Sequence, residues 1–147
     1  MVSFPSYLIH TNVMYTAEHT VRVRYAETDQ MGIAYYGSYA AWLEVARVET
    51  LRSLGLTYRA LEEQGVMLPV ADLQISYLKP VRYDDELRIV TTIGEMPSVR
   101  IRFAYRCFVG DEEVTRASTT LFFMDAATRR PRRCPDSLSS ALRRFFE

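Results

Sequence analysis

The sequence predicts one α+β domain in which an antiparallel sheet packs around a helix. One strand-like run comes first, two helical segments follow it, and four strand-like runs continue to about residue 124. No repeat, linker or low-complexity segment interrupts this order, and 147 residues is the length of one ordinary domain. We therefore treat 1–147 as a single domain, with 1–17 as an N-terminal extension and 134–147 as a C-terminal helical tail.

The first strand is expected over 19–25, where Val21, Val23 and Tyr25 alternate with polar residues. The four later strands show the same two-residue period. Their alternating residues are Leu73, Ile75 and Tyr77; Leu87, Ile89, Thr91 and Ile93; Val99, Ile101, Phe103, Tyr105, Cys107 and Val109; and the run that ends near Met124. Gly110-Asp111 predicts a hairpin between the last two strands.

Two helices are expected between the first strand and the later ones. Apolar residues recur at three- and four-residue steps over 38–54, with Ser38 as the N-cap and Gly55 as the stop. A shorter helix fits 57–64 and is closed by Gly65. The first helix has apolar residues on more than one side, which favours a largely enclosed position. These residues are Leu43, Val45, Ala46, Val48 and Leu51.

Composition narrows the classes of function. Lys plus Arg equals Asp plus Glu at 18 each, so no general field favours nucleic acid or an anionic membrane. No apolar run approaches the ~20 residues that cross a bilayer, and the N-terminus lacks the pattern of a signal peptide. We expect a cytoplasmic protein. Only two cysteines occur, without CxxC spacing, so neither a disulfide framework nor a metal site is expected.

The familiar catalytic signatures are absent from the sequence. There is no GxSxG elbow, no HExxH, no P-loop and no dinucleotide-binding glycine pattern. The only histidines, His10 and His19, precede or lie within the first strand, which argues against a Ser-His-Asp or Cys-His mechanism. If the protein is an enzyme, carboxylates and backbone dipoles must carry the chemistry.

The best candidate for such chemistry is Asp29, in an irregular segment shortly before the predicted helix at Ser38. A helix N-terminus presents unpaired N–H groups and partial positive charge, which suits an oxyanion or a thioester oxygen. A carboxylate beside it can attack a carbonyl or activate water. The alternative is that Asp29 only caps a turn, as aspartates often do.

The stretch RVRYAETDQMGIAYYGSYAAWLEVARVETLRSLG, 22–55, resembles the signature of hotdog-fold acyl-CoA thioesterases of the hydroxybenzoyl-CoA thioesterase type. The family motif of Asp, Gly, an apolar residue, an aromatic and Tyr is matched in register by Asp29, Gly32, Ile33, Tyr35 and Tyr39. The segment Tyr77–Asp85 also resembles the family's strand-to-hairpin region. The resemblance extends over roughly 19–125.

The resemblance implies a five-stranded antiparallel sheet wrapped around a long central helix, in a homodimer or a tetramer. It places the catalytic carboxylate on Asp29 and the carbonyl-polarising N–H at about Tyr36, with Gly37 beside it. Many bacterial relatives have His at this position, whereas Tyr36 is like the hydroxybenzoyl-CoA branch. Tyr35 and Tyr39 would line the substrate pocket. No cofactor is implied, because coenzyme A is part of the substrate.

The resemblance leaves alternatives open. The substrate is either an acyl-CoA, with an aromatic or a short to medium aliphatic acyl group, or an acyl-carrier protein. A hotdog dehydratase would need a histidine that the site segment lacks. A non-catalytic acyl-CoA-binding dimer is the third reading.

Arginines supply a second candidate site. Arg100, Arg102 and Arg106 share one face of an alternating strand, which is either a solvated face or a platform for the CoA phosphates. Lys79 and Arg82 would extend that platform. On the first helix, Glu44 with Arg47 and Glu49 with Arg52 are three residues apart. Both pairs are expected to form ion pairs.

Overall fold

The computed structural model describes residues 14–147, so most of the predicted N-terminal extension lies outside the described part of the chain. The elements follow the predicted order of one strand, two helices, a run of strands and a terminal helix. They are β1 (Tyr15–Arg22), α1 (Ser38–Ser53), α2 (Tyr58–Glu63), β2 (Val66–Met67), β3 (Val70–Tyr77), β4 (Glu86–Ile93), β5 (Arg100–Val109), β6 (Glu112–Phe122), β7 (Met124–Asp125) and α3 (Asp136–Arg143).

Five strands form one antiparallel sheet in the order β1-β4-β5-β6-β3. This confirms the predicted α+β class and the five-stranded antiparallel sheet. The Gly110-Asp111 hairpin is also confirmed, because Val109 on β5 pairs with Glu112 on β6. The short strands β2 and β7 form a separate two-stranded ladder that the sequence pattern does not predict.

Alternation along β5 separates the two faces of the sheet. Ile101 and Phe103 are buried, whereas Arg100 and Arg102 are exposed on the opposite face. Helix α1 packs against the buried face, mainly on β1 and β4. It places Leu43, Ala46 and Leu51 in the core and leaves Val45 41% exposed, so the helix is covered on one side only. Each buried leucine contributes about 1.5–3 kcal/mol.

Several boundaries differ from the prediction. Strand β1 begins at Tyr15 rather than at residue 19, because Tyr15 pairs with Ile93 at the far end of β4. It ends at Arg22, and the chain then turns through a 3-10 turn, Tyr25–Glu27. The last predicted residue of the strand, Tyr25, therefore lies in that turn with its side chain exposed.

The helix ends also differ in detail. The residue before α1 is Gly37, and Ser38 is the first helical residue. The Ser38 hydroxyl donates to the Glu27 carbonyl at 3.0 Å instead of capping the helix. A helix is confirmed within the predicted helical tail 134–147, where α3 covers Asp136–Arg143. Its leucines, Leu138 and Leu142, are fully buried, so the tail packs on the core.

Candidate active site

Asp29 lies in a tight loop that leads from the 3-10 turn to α1. The ends of the loop pair as a bridge between Thr28 and Ala34. Inside it, the Asp29 N–H donates to the Ile33 carbonyl at 2.8 Å, and the Gly32 N–H donates to the Asp29 carbonyl at 3.0 Å. Gly32 has φ +77°, a conformation that favours glycine over residues with a Cβ. The loop is therefore a closed hairpin with Asp29 at its first corner.

The segment between β3 and β4 fixes this loop to the rest of the molecule. The Ala34 N–H donates to the Val81 carbonyl at 2.6 Å, and Ile33 pairs with Arg82 as an isolated bridge. The Arg82 N–H in turn donates to the Asp85 carboxylate at 2.8 Å. Backbone bonds of this kind hold the position of Asp29 independently of its side chain.

Only one of the two oxygens of the Asp29 carboxylate forms a hydrogen bond within the turn. Its Oδ1 accepts a hydrogen bond from the Met31 N–H at 2.8 Å, as in an Asx turn. Within residues 14–147, Oδ2 has no hydrogen bond or ion pair. Turn capping and chemistry are therefore compatible, because one oxygen holds the turn and the other has no hydrogen bond within the described residues.

The start of α1 supplies the backbone donors. The Ser38 N–H bonds to the Tyr35 carbonyl at 2.9 Å, whereas the Tyr36 and Gly37 N–H groups have no acceptor in the part of the chain that the structure describes. A Cβ on Gly37 would lie 2.6 Å from Cε1 of Tyr35, so glycine lets the Tyr35 ring lie against the backbone here. Free N–H groups at a helix N-terminus can stabilise a carbonyl oxygen that gains negative charge.

One open groove with a volume of ≈ 430 Å³ joins the carboxylate to the helix start. Most of its lining is apolar or aromatic, which suits an acyl group. The lining residues are Asp29, Met31, Ile33, Ala34, Tyr36, Tyr39, Tyr77, Leu78, Lys79 and Pro80. The structure thus brings together four of the predicted site residues: Asp29, Tyr36, Tyr39 and Lys79.

Aromatic contacts form the inner wall of this groove. Tyr39 is buried and meets Tyr77 edge to face, with ring centroids 5.0 Å apart. Burial raises the pKa of the Tyr39 hydroxyl, so this phenol stays neutral near pH 7. The Tyr77 hydroxyl donates to the Tyr36 carbonyl at 3.3 Å. The end of β3 is therefore tied to the residue that carries one of the free N–H groups.

Other predicted site residues lie outside the groove lining. The Tyr35 ring is tilted against the Tyr36 ring, with ring centroids 4.5 Å apart. The Arg82 side chain is exposed. Arg100 and Arg102 lie on the opposite face of the sheet, where Arg102 borders a separate hollow. In this chain, therefore, the arginines of β5 do not share a surface with Asp29.

The cation nearest the groove already has a partner. Lys79 forms an ion pair with Glu112 at 2.6 Å, and both side chains are more than half exposed. Its backbone is held as well, because the Leu78 and Lys79 N–H groups both donate to the Val114 carbonyl. Exposed pairs of this kind contribute little to stability, so Glu112 leaves Lys79 able to exchange partners.

Of the two predicted ion pairs on α1, one is confirmed and one is wrong. Glu49 and Arg52 pair at 3.3 Å. Glu44 points to solvent, whereas Arg47 is only 6% exposed and donates to the Tyr58 hydroxyl at 3.2 Å and the Tyr105 hydroxyl at 3.3 Å. Position 47 faces the sheet, so the guanidinium is held by phenols in the core rather than by the carboxylate one turn earlier.

Glu27 is a residue of the candidate site to which the sequence assigned no role. Its carboxylate accepts hydrogen bonds from the Trp42 indole N–H and the Arg24 backbone N–H, both at 2.7 Å. Its carbonyl accepts bonds from the Tyr35 N–H and the Ser38 hydroxyl. Partial burial raises its pKa, but these hydrogen bonds and the Arg24 guanidinium outweigh burial and lower the pKa overall. No sequence pattern signals a contact between residues fifteen positions apart across a loop.

Among residues 14–147, no cysteine or histidine lines this groove. Burial raises the pKa of the Cys107 thiol to about 12, and Cys134 is also buried. His19 lies on β1 and does not line the groove, while His10 is outside the described residues. Between residues 14 and 147, no group of three or more His, Cys, Asp or Glu side chains could hold a metal ion. Likewise, none of the helices described in this range is long and apolar enough to cross a membrane.

The five-stranded antiparallel sheet packed against helix α1 is the hotdog type of thioesterase fold. The family model described as the Thioesterase-like superfamily matches residues 23–142. The match extends over most of the chain. The protein therefore belongs to the Thioesterase-like superfamily.

Individual relatives agree with this assignment. The chain is 33% identical to the acyl-CoA thioester hydrolase YbgC of Escherichia coli O6:H1 over 80% of this chain and 89% of that protein. It is similar to the DHNA-CoA thioesterase structure from Staphylococcus aureus, with 35% identity, a TM-score of 0.77 and 80% coverage of each chain. The Thermus thermophilus protein TT1821 has 32% identity and a TM-score of 0.81, over 86% of this chain and 96% of that one.

Proposed function

We propose that this protein is an acyl-CoA thioesterase that hydrolyses the thioester at the groove between Asp29 and the start of α1. The observation that carries the proposal is that two features lie together at this site. The Asp29 carboxylate has one oxygen without a hydrogen bond, and two backbone N–H groups at the start of α1 have no acceptor within residues 14–147. Relatives named acyl-CoA thioester hydrolase and DHNA-CoA thioesterase support the class of substrate. The acyl group is aromatic or a short to medium aliphatic chain, since tyrosines and aliphatic side chains both line the groove.

In this mechanism the thioester oxygen accepts hydrogen bonds from the Tyr36 and Gly37 N–H groups. As the carbonyl carbon becomes tetrahedral, its oxygen gains negative charge, and these donors together with the helix dipole stabilise that charge. Fixed donors need no rearrangement during the reaction, and the apolar groove walls strengthen the interaction.

Asp29 acts in one of two ways. As a nucleophile, its free oxygen attacks the carbonyl carbon, the C–S bond breaks and the CoA thiolate leaves; water then hydrolyses the resulting anhydride, and a proton from that water passes to the thiolate. As a general base, it removes a proton from a water molecule that attacks the same carbon directly; the C–S bond then breaks, and the proton passes from Asp29 to the CoA thiolate. Both routes yield the free acid and CoA, and neither needs a cofactor or a metal.

CoA anchoring is proposed for the basic residues. Lys79 borders the groove, and Arg82 lies behind the adjacent loop, so a phosphate that displaces Glu112 from Lys79 would meet a local positive field. Arg100 and Arg102 lie on the opposite face of the sheet. They can therefore contact CoA only if the nucleotide of a CoA bound in another subunit reaches that face.

We further propose that the active form is a homodimer, or a tetramer built from dimers. Strand β3 is an edge of the five-stranded sheet, and most of its residues are exposed, although Ile75 packs partly against the core. Leu73 is 42% exposed and Tyr77 50% exposed, beside the groove. An exposed edge with apolar side chains favours pairing with a second strand, and a second copy of β3 would complete the groove wall at Tyr77.

Release of thiol from a panel of acyl- and aryl-CoA compounds tests the function. Hydrolysis of at least one member is the expected result. Binding of the panel without thiol release would favour a non-catalytic acyl-CoA-binding dimer. Hydrolysis of acyl-carrier-protein thioesters but not of acyl-CoA would favour a protein substrate, and neither outcome is compatible with the proposal.

A further inference from the structure

Glu27 is joined to both halves of the candidate active site. Its carboxylate holds the Trp42 indole N–H one turn into α1 and the Arg24 N–H before the loop, each at 2.7 Å. Its carbonyl accepts the Tyr35 N–H at 2.8 Å and the Ser38 hydroxyl at 3.0 Å. One residue therefore connects the entry of the loop, the exit of the loop and the first turn of the helix.

These contacts surround the groups proposed to react. Asp29 lies two residues after Glu27, so a shift of Glu27 would displace the start of the loop that contains Asp29. The free N–H groups of Tyr36 and Gly37 lie between the two residues that bond to the Glu27 carbonyl. We propose that Glu27 is a positioning residue that sets the separation between the Asp29 carboxylate and the helix N–H groups. This inference rests on the proposed thioesterase function.

A direct role in proton transfer does not fit Glu27. Both of its carboxylate oxygens already accept hydrogen bonds, and its side chain is only 12% exposed. It does not line the groove that contains Asp29 and Tyr36. A lowered pKa agrees with a carboxylate that stays ionised and bonded. Its contribution is therefore geometric and acts through the residues it holds.

The first test compares kcat and KM among variants. Glu27→Ala removes both carboxylate contacts, and we expect kcat to fall about 10–100-fold with KM within about threefold, because misplacement by about 1 Å costs rate more than binding. Glu27→Gln retains one acceptor and should recover part of the loss. Trp42→Phe removes the indole N–H together with part of the buried ring, and combining it with Glu27→Ala should cost less than the sum of both.

Glu49→Ala is the matched control. Like Glu27, Glu49 is an ion-paired carboxylate. It lies on α1, two turns beyond Trp42, and does not line the groove. We expect its kcat to equal that of the wild type. If Glu27→Ala keeps more than a third of wild-type kcat while the wild type hydrolyses its substrate, Glu27 does not position the site, and the proposed function stands.

A second measurement does not depend on activity. Trp42 is the only tryptophan, so its indole N–H gives one resonance in a ¹⁵N-labelled sample. In Glu27→Ala that resonance should shift, and amide exchange at the hydrogen-bonded Tyr35 and Ser38 N–H groups should accelerate at least about tenfold, since the hydrogen bonds that order this segment are weakened. Unchanged exchange would overturn the inference. A wild type that hydrolyses no thioester would refute the proposed function instead, and amide exchange would still decide whether Glu27 holds the segment.

Discussion

Replacing Asp29 with asparagine removes the negative charge from the loop but keeps an oxygen in the Oδ1 position. That oxygen can still accept the 2.8 Å hydrogen bond from the Met31 N–H. The loop is also closed by backbone bonds, including Asp29 N–H to the Ile33 carbonyl. The variant should therefore fold and bind acyl-CoA like the wild type. Only the nucleophile or base of the proposed mechanism is lost.

The expected magnitudes separate catalysis from turn capping. A hydrogen bond to a charged acceptor contributes about 1 kcal/mol more than one to a neutral acceptor, so unfolding should become easier by about 1 kcal/mol or less. Loss of a general base typically lowers kcat about 10²–10⁴-fold, and loss of a nucleophile costs at least as much. That range corresponds to about 3–5 kcal/mol of transition-state stabilisation.

The assay measures kcat by thiol release, with thermal unfolding of the same samples. Asp125→Asn is the matched control, because the Asp125 carboxylate also caps a turn and lies outside the groove; it accepts two backbone N–H groups, from Ala127 and Thr128, where Asp29 accepts one. It should show a similar change in stability and no change in kcat. Asp29→Asn that keeps more than about a tenth of wild-type kcat would refute the mechanism, because even weak general base catalysis exceeds that loss.

Three further predictions concern CoA binding, assembly and the buried thiol. Lys79→Ala and Arg102→Ala should each raise KM and weaken its salt dependence with little effect on kcat, while Glu112→Gln, which frees Lys79, should lower KM. Unchanged KM in all three variants would leave these residues as solvated charges. Sedimentation should show a dimer or tetramer at micromolar concentration, and Leu73→Asp on the β3 edge should raise the dissociation constant at least about tenfold. A stable, active wild-type monomer would contradict this. The free energy of unfolding should fall as pH rises from 9 towards about 12, because in that range the unfolded chain releases the Cys107 proton while the folded chain keeps it. Denaturant titration at several pH values measures this decline, and Cys107→Ala should make it less steep.

Local patterns predicted most of the fold. The two-residue period of β5 gave the correct faces, with Ile101 inside and Arg102 outside. The predicted helix over 57–64 is confirmed as α2, and in the structure Thr57 is its N-cap, whose hydroxyl accepts the Ala60 N–H at 3.0 Å. Such features depend on residues a few positions apart, so the sequence contains all the partners. The family motif around Asp29 likewise indicated a loop before a helix start.

Contacts between distant segments could not be predicted in this way. The ends of β1 depend on where its partner β4 ends. Pairing with β4 extends β1 to Tyr15, before the predicted start of the strand. Arg47 was expected to pair with Glu44, but the sheet brings the Tyr105 hydroxyl to it instead. A helical pair spaced three apart stabilises by only about 0.2–0.5 kcal/mol, so burial against the core easily decides which partner a charged side chain takes.

The sequence by itself therefore determined the class of fold and the faces of its strands, and it singled out Asp29 as the residue proposed to carry the chemistry. The tertiary structure decided which groups share the groove. It placed Lys79 beside Asp29 and put Arg102 behind the sheet. It also joined Glu27 to Trp42 across the loop. Periodicity and capping are local properties of the chain, whereas a site depends on where separate segments meet after folding, and packing of the whole core sets those positions.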